Sequence, residues 1–141
     1  MSSGGFNIQS MIWAGLVAGV WIFISGLLMA ATFGYRDMKA AFDSIGLGMP
    51  VGVTPFIVHT VVRLCIGMAL VALYALLLRV FSPMQAVFGA AAFTWFLGVV
   101  LPLVVIVEWG LFSWLLAVKL WAWGAAEFLI AAMIGRLIYH L

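Results

Sequence analysis

The residues best suited to chemistry in this chain are ionisable side chains set inside long apolar runs. Glu127 falls about 14 residues into the last run, near its middle at a helical rise of about 1.5 Å per residue. An ionised carboxylate left alone at that depth in hydrocarbon costs roughly 3 kcal/mol even on lenient insertion scales. Glu127 must therefore be neutral, paired or facing a wet cavity. As working chemistry this makes it a proton- or cation-coupled site; as plain structure it is a protonated acid hydrogen-bonded between helices. Arg63, in the second run, is its natural partner, at an expected depth difference of roughly 7–8 Å that an arginine side chain can bridge. Alternatively Arg63 snorkels to the interface with its stem on apolar neighbours. His59, four residues earlier, shares the Arg63 face and reads most simply as a structural polar contact.

Lys119 and Glu108 flank the turn between the third and fourth runs, and an ion pair at that rim is expected, of small energetic weight if exposed. Lys119, Trp123, Glu127 and Ala131 recur at intervals of four, so they form one slowly drifting helix face. That face carries a cation, an aromatic ring and an acid in order, and would either line a cavity or pack against the first two helices. A deep tryptophan beside an acid is able to hold a cation over its π face. No metal or cofactor is expected. A bis-histidine haem needs both rings at one depth, whereas His59 and His140 fall near opposite membrane faces, which leaves only a single-histidine pigment or haem site at His59. Cys65 is the single cysteine; it excludes an intramolecular disulfide and reads as a small buried hydrophobe. With no nucleophile–base pair, ligand cluster or phosphate loop in the sequence, an enzyme is not expected.

Four apolar runs, residues 8–32, 56–80, 86–108 and 112–139, must position these groups, and each exceeds the roughly 20 residues a helix needs to cross a bilayer. Hydrophobic residues make up 68% of the 141 and DEKR only 7%, too little polar surface for a soluble domain. The chain reads as all-α: a single integral membrane domain over residues 1–141, a four-helix transmembrane bundle with lipid as its first partner. The net charge of +2, from dispersed basic residues, gives no reason to expect nucleic acid. Met1 to Tyr35 contains no Lys or Arg, and the run outlasts a signal-peptide core of about 7–15 residues, so it reads as a retained helix after a polar leader.

The long connection, 33–55, carries Met38, Ala41, Phe42 and Ile45 at helical spacing with Arg36, Lys39 and Asp43 mostly off that stripe, the pattern of a short interfacial helix between helices one and two. Thr54-Pro55 predicts the start of the second helix, Ala86 the start of the third, and Ser113 a cap for the fourth. Pro102 should kink the third. Gly15 with Gly19, and Ala131 with Gly135, fit the small-xxx-small pattern of close helix packing, within the protomer or across an oligomer. Trp13, Trp109 and Trp114 sit at helix ends like an aromatic belt, with Trp21, Trp95, Trp121 and Trp123 deeper. With both termini in the cytoplasm, Arg79 and Arg136 lie inside and Arg36, Lys39 and Lys119 outside, so a strict count of Lys and Arg supports the reverse orientation as well. Cytoplasmic termini are preferred because Arg36 and Lys39 are interleaved with Asp37 and Asp43.

Leu16-Val17-Ala18-Gly19, Leu73-Tyr74-Ala75 with Arg79 and Pro83, Trp95-Phe96-Leu97-Gly98 with Leu101-Pro102, and Trp123-Gly124 with Glu127, Gly135 and Tyr139 give the chain its resemblance. It resembles small uncharacterised four-helix bacterial integral membrane proteins. The resemblance implies a bacterial inner membrane and lends no catalytic residue. Those proteins have an acid near the middle of helix one, where this chain has Ser25-Gly26. In size and helix count it is also similar to small multidrug transporters, though their acid is on helix one. Two functions follow as expectations: a non-enzymatic protein acting by association, as an accessory subunit or a homo-oligomeric module, or a small proton- or cation-coupled transporter or channel using Glu127 with Arg63.

Overall fold

Asn7 accepts the Ser10 N–H at 3.0 Å and so supplies the first missing partner of helix α1, Ile8–Met29. The computed structural model describes residues 7–140; the leader expected before Asn7 lies outside the described residues. Six α-helices follow in order: α1, α2 (Tyr35–Ser44), α3 (Val53–Leu77), α4 (Pro83–Trp95), α5 (Leu101–Glu108) and α6 (Trp114–Tyr139). Short π-helical turns, Ala30–Gly34 and Phe96–Val100, join α1 to α2 and α4 to α5 without breaking the rod. The described chain thus has four helices long and apolar enough to cross a membrane: Ile8–Ser44, Val53–Leu77, Pro83–Glu108 and Trp114–Tyr139.

The boundaries depart from the sequence expectation in three places, each with a local cause. The segment at 35–45 is helical from Tyr35 to Ser44, but it is not a separate element; it continues the first span to 37 residues. No Gly or Pro interrupts 30–44 except Gly34, and one glycine does not end a helix. The second span starts at Val53, after Gly52 at φ 126°, which places Pro55 inside the first turn rather than at its opening. The third starts at Pro83, not Ala86, because Ser82 and Gln85 form a reciprocal capping box around a proline-led first turn. Ser113 caps α6 as expected, accepting from Leu116 N–H at 3.2 Å.

Both π turns have identifiable origins. Pro102 has no N–H and its ring crowds the carbonyl four residues back, so the helix widens just before it and Leu101 N–H reaches Phe96 O instead. In the first span, the Thr32 hydroxyl donates to the Leu28 and Met29 carbonyls at 3.1 and 2.9 Å. Competition of that kind loosens the ladder, and Tyr35 N–H bonds Ala30 O across five residues.

Small residues set the helix contacts. Gly15 and Gly19 on α1 meet Met68, Leu64 and Gly67 on α3 so closely that a Cβ on Gly67 would lie 2.2 Å from the Gly19 nitrogen. Ala131 is fully buried, and a Cβ on Gly135 would meet Val71 Cγ2 at 2.5 Å. The sequence in which these pairs meet makes α3 antiparallel to α1 and parallel to α6. The core is built from Ala14, Ala18, Ile22, Leu70, Val71, Tyr74, Ala86, Val87, Ala90, Phe128 and Ala132, nearly all toward the end of the bundle that holds both termini. Cys65 is exposed on the outer face of α3, against the expectation of burial. A helix buried on so narrow a stripe turns most of its apolar side chains outward.

Candidate functional site

Glu127 is the fourteenth residue of the 26 in α6, and Arg63 the eleventh of the 25 in α3. Because α3 begins earlier than the sequence suggested and runs parallel to α6, the two differ in depth by three residues, or roughly 4.5 Å. Arg63 Nη1 donates to Glu127 Oε1 at 2.8 Å, with side-chain exposures of 19% and 4%. The bridge is an ion pair between two mid-helix residues, so Arg63 is neither snorkelled to an end nor alone.

Neighbours on α1 complete the setting. The Ser25 hydroxyl faces the Glu127 carboxylate and accepts the Trp123 indole N–H at 2.9 Å. The Trp21 indole N–H donates to the Glu127 backbone carbonyl at 3.2 Å. Gly26, buried, leaves room for its α3 neighbours: a Cβ there would stand 3.5 Å from both Arg63 Nη2 and His59 Nε2. His59 is otherwise exposed and lies one turn toward the helix start. His140 is remote, its Nε2 2.8 Å from the Tyr74 hydroxyl, and Tyr74 is 15 residues or roughly 22 Å along α3 from His59.

The expected rim pair is different in the structure. Lys119 binds Asp37 Oδ2 at 2.7 Å, while Glu108 is exposed and has no ion pair among the described residues. The cause is the continuation of the first span: α2 runs on beside the α5–α6 turn and brings Asp37 to Lys119 and Phe42 within 6.5 Å of Phe112, ring centre to ring centre. Lys119 also lies 5.6 Å from the centre of the Phe33 ring, so the cation–aromatic contact on this face involves Phe33 rather than Trp123. The face of Lys119, Trp123, Glu127 and Ala131 therefore points inward, each polar member meeting a partner on α1, α2 or α3. Three residues that sequence reasoning did not assign, Ser25, Trp21 and Asp37, supply that polar frame. Ser25 and Trp21 are signalled in the sequence only as polar or amphipathic residues within an apolar run, and Asp37 only as one of several charges in the connection after it.

Two cavities border Glu127 and Trp123. One, of about 280 Å³, is lined by Arg63, Met29, Val99, Pro102, Leu103 and Gly124 among others; the second, of about 230 Å³, lies between α1 and α6 beside Trp21, Ser25, Leu28 and Ile130. The π turns flank the larger one: Phe33 stacks edge-on to Trp123 at 6.0 Å, and Val99 packs 3.3 Å from where a Gly124 Cβ would be. Widened helical turns of this kind gather at functional sites. A third cavity of about 580 Å³ holds the Asp37–Lys119 pair at the α2 end. Among the described residues no group of three or more His, Cys, Asp or Glu is gathered as a metal site. Chemically, the arrangement can exchange the partner of a carboxylate or of a guanidinium inside an otherwise apolar hollow. Compared with known proteins, the chain matches no family model, no curated protein and no solved structure.

Proposed function

We propose that this is a non-enzymatic integral membrane protein, a small proton-coupled transport or sensing module whose switching element is the Arg63–Glu127 pair. The observation that carries the reading is the position of that pair on the wall of a cavity at mid-span. A buried ion pair is a poor packing device, since apolar residues of similar volume hold helices together as well or better. The bundle already has its close contacts at Gly15, Gly19, Gly67 and Gly135, so the charges are not needed to assemble it. Protonation of Glu127 would free Arg63 without removing either side chain from its helix. The setting in this reading is a bacterial inner membrane with both termini cytoplasmic. Arg79 and Arg136 stand at that end; at the other, Arg36 and Lys39 are interleaved with Asp37 and Asp43, and Lys119 is paired with Asp37. The α2 segment then rests in the membrane interface, its Met38, Ala41 and Phe42 half-buried on the bundle.

The test is infrared difference spectroscopy of the full chain in lipid nanodiscs between about pH 8 and pH 5. A protonated-carboxyl band should appear on acidification and be missing from a folded Glu127→Gln variant. If folded wild type and Glu127→Gln give the same difference spectrum, Glu127 does not titrate and the reading is wrong.

A second reading, action by association with another subunit or with itself, is favoured by one feature. Phe56, Ile57, Val58, Val61 and Val62 are all exposed along the first half of α3. Lipid covers such a face equally well. Native mass spectrometry from nanodiscs decides it: a defined oligomer or a stoichiometric foreign chain supports association, and a monomer excludes it.

A further inference from the structure

We infer that the 280 Å³ cavity takes a small amphiphilic anion, which binds the Arg63 guanidinium as Glu127 accepts a proton. The inference rests on the proton-coupled reading above and names its ligand. Charge is the first argument. The resting pair is neutral as a whole, and a protonated Glu127 beside Arg63 leaves one positive charge in a low-dielectric wall. An anion arriving with the proton restores neutrality, so one proton and one anion enter together and no net charge is left buried.

Shape and chemistry agree. Apart from Arg63, Glu127 and the Trp123 indole, the cavity wall is apolar, with Val99, Leu103 and Ile106 among its members. A ligand suited to it has one charged head and an apolar tail. A cation would meet the Arg63 charge, and a wholly apolar ligand would give the pair no role. At roughly 30 Å³ per water-sized group, the volume accommodates about nine or ten heavy atoms. Arg63 has donors to spare, since a guanidinium carries five N–H groups and its one hydrogen bond among the described residues is to Glu127.

The titratable groups around the pair are few. On α3 His59 shares the Gly26 gap with Arg63; on α1 the facing group is Ser25, which does not titrate in this range. The next charges on α2 and α6 are Asp37 and Lys119, already paired with each other. From the second π turn and α5 the wall contributes no charged residue, and Glu108 at the end of α5 is exposed. His59 is therefore the one competing source of a pH response, and it needs its own control.

The experiment uses the full chain in nanodiscs and 1-hexanesulfonate as probe, because a sulfonate stays ionised from pH 5.5 to 7.5 and any pH effect belongs to the protein. Calorimetry, with empty nanodiscs subtracted, should find binding to wild type tightened at least tenfold at pH 5.5. Glu127→Gln, which leaves Arg63 permanently free, should bind at both pH values with one affinity. The double variant Arg63→Gln/Glu127→Gln keeps a neutral hydrogen-bonding pair, so it should fold and lose binding; His59→Gln should behave as wild type. The inference is overturned by 1-hexanol binding as tightly as the sulfonate, by retained binding in the double variant, or by loss of the pH effect in His59→Gln. If the carboxyl band of the preceding test is present while hexanesulfonate does not bind, the ligand class is wrong and the proton-coupled reading stands. If the band is absent, both fall.

Discussion

The two ends of the bundle are built on different principles. Toward the termini, α1 and α3 touch backbone to backbone at Gly15, Gly19 and Gly67, and the buried core is almost entirely small or branched apolar residues. Past Gly19 the packing changes: at Gly26 a Cβ would meet only the Arg63 and His59 side chains at an ordinary 3.5 Å, the first and third spans each carry a π turn, and cavities border Arg63 and Glu127. One end fixes the relative positions of the helices. The other keeps charge, space and imperfect hydrogen bonding, the features that let a side chain change partner. Intramembrane charges are expensive enough that a fold tolerates them mainly where they work.

The contrast is sharpest for a single added methyl or side chain. Gly67→Leu should have the largest effect of any change considered, since even its Cβ collides with the Gly19 backbone. Overpacking a good core costs about 1–3 kcal/mol, and more where backbone is struck. The expected outcome is loss of the monodisperse, heat-cooperative species in size-exclusion and thermal-melt assays. A normally melting Gly67→Leu would show that the tight end is not what holds the bundle.

Next in size is Arg63→Met, which strands Glu127 without its partner. Breaking one side of a buried pair costs about 3–5 kcal/mol when the survivor stays charged, and protonation of Glu127 brings the cost below that range. The melt should therefore be depressed most at high pH and recover as pH falls. Replacing both charges, as Arg63→Met/Glu127→Gln, should be milder than Arg63→Met alone, and the cost of the double variant less the costs of Arg63→Met and of Glu127→Gln is the coupling of the pair. A coupling below about 0.5 kcal/mol, the level of independent sites, would mean the bridge is energetically idle.

Pro102→Ala returns a backbone donor and removes the ring that forces the second π turn. Stability should rise, by at most the roughly 3 kcal/mol that proline costs in a helix interior, while hexanesulfonate binding weakens because the cavity wall tightens. Unchanged binding would separate the π turn from the cavity. The smallest effect belongs to Gly26→Ala. Its Cβ would find Arg63 and His59 at ordinary contact distance, 3.5 Å, so the melt should shift by less than the equivalent of about 1 kcal/mol, the helix-propensity scale of the change. Gly26→Ala and Gly67→Leu falling together would erase the distinction between the two ends.

Much of this architecture is legible in the residues alone. The four apolar runs, the capping role of Ser113, the disturbance at Pro102 and the Glu127–Arg63 pairing all follow from local rules: length, hydropathy, missing donors and the rise of a helix. The continuous first span was not legible, because the charges at 36–43 look like a solvated surface segment until α6 supplies Lys119 as a partner for Asp37. The same holds for Trp21, Trp95 and Trp123. In sequence they are indistinguishable from lipid-facing rings, yet each donates its N–H across helices, to Glu127 O, Trp121 O and Ser25 Oγ.

Four apolar helices, with two opposite charges lying within them, are written into the residues themselves, since both facts depend on composition and on distance along one helix. The folded arrangement was needed to show that Lys119 pairs with Asp37 and not Glu108, that Gly15 and Gly19 are spent on α3, and that Glu127 lies on a cavity wall. Those outcomes depend on the rotation of each helix about its own axis and on its neighbours. A helix that is apolar on every side does not encode that rotation; close contacts between glycines do.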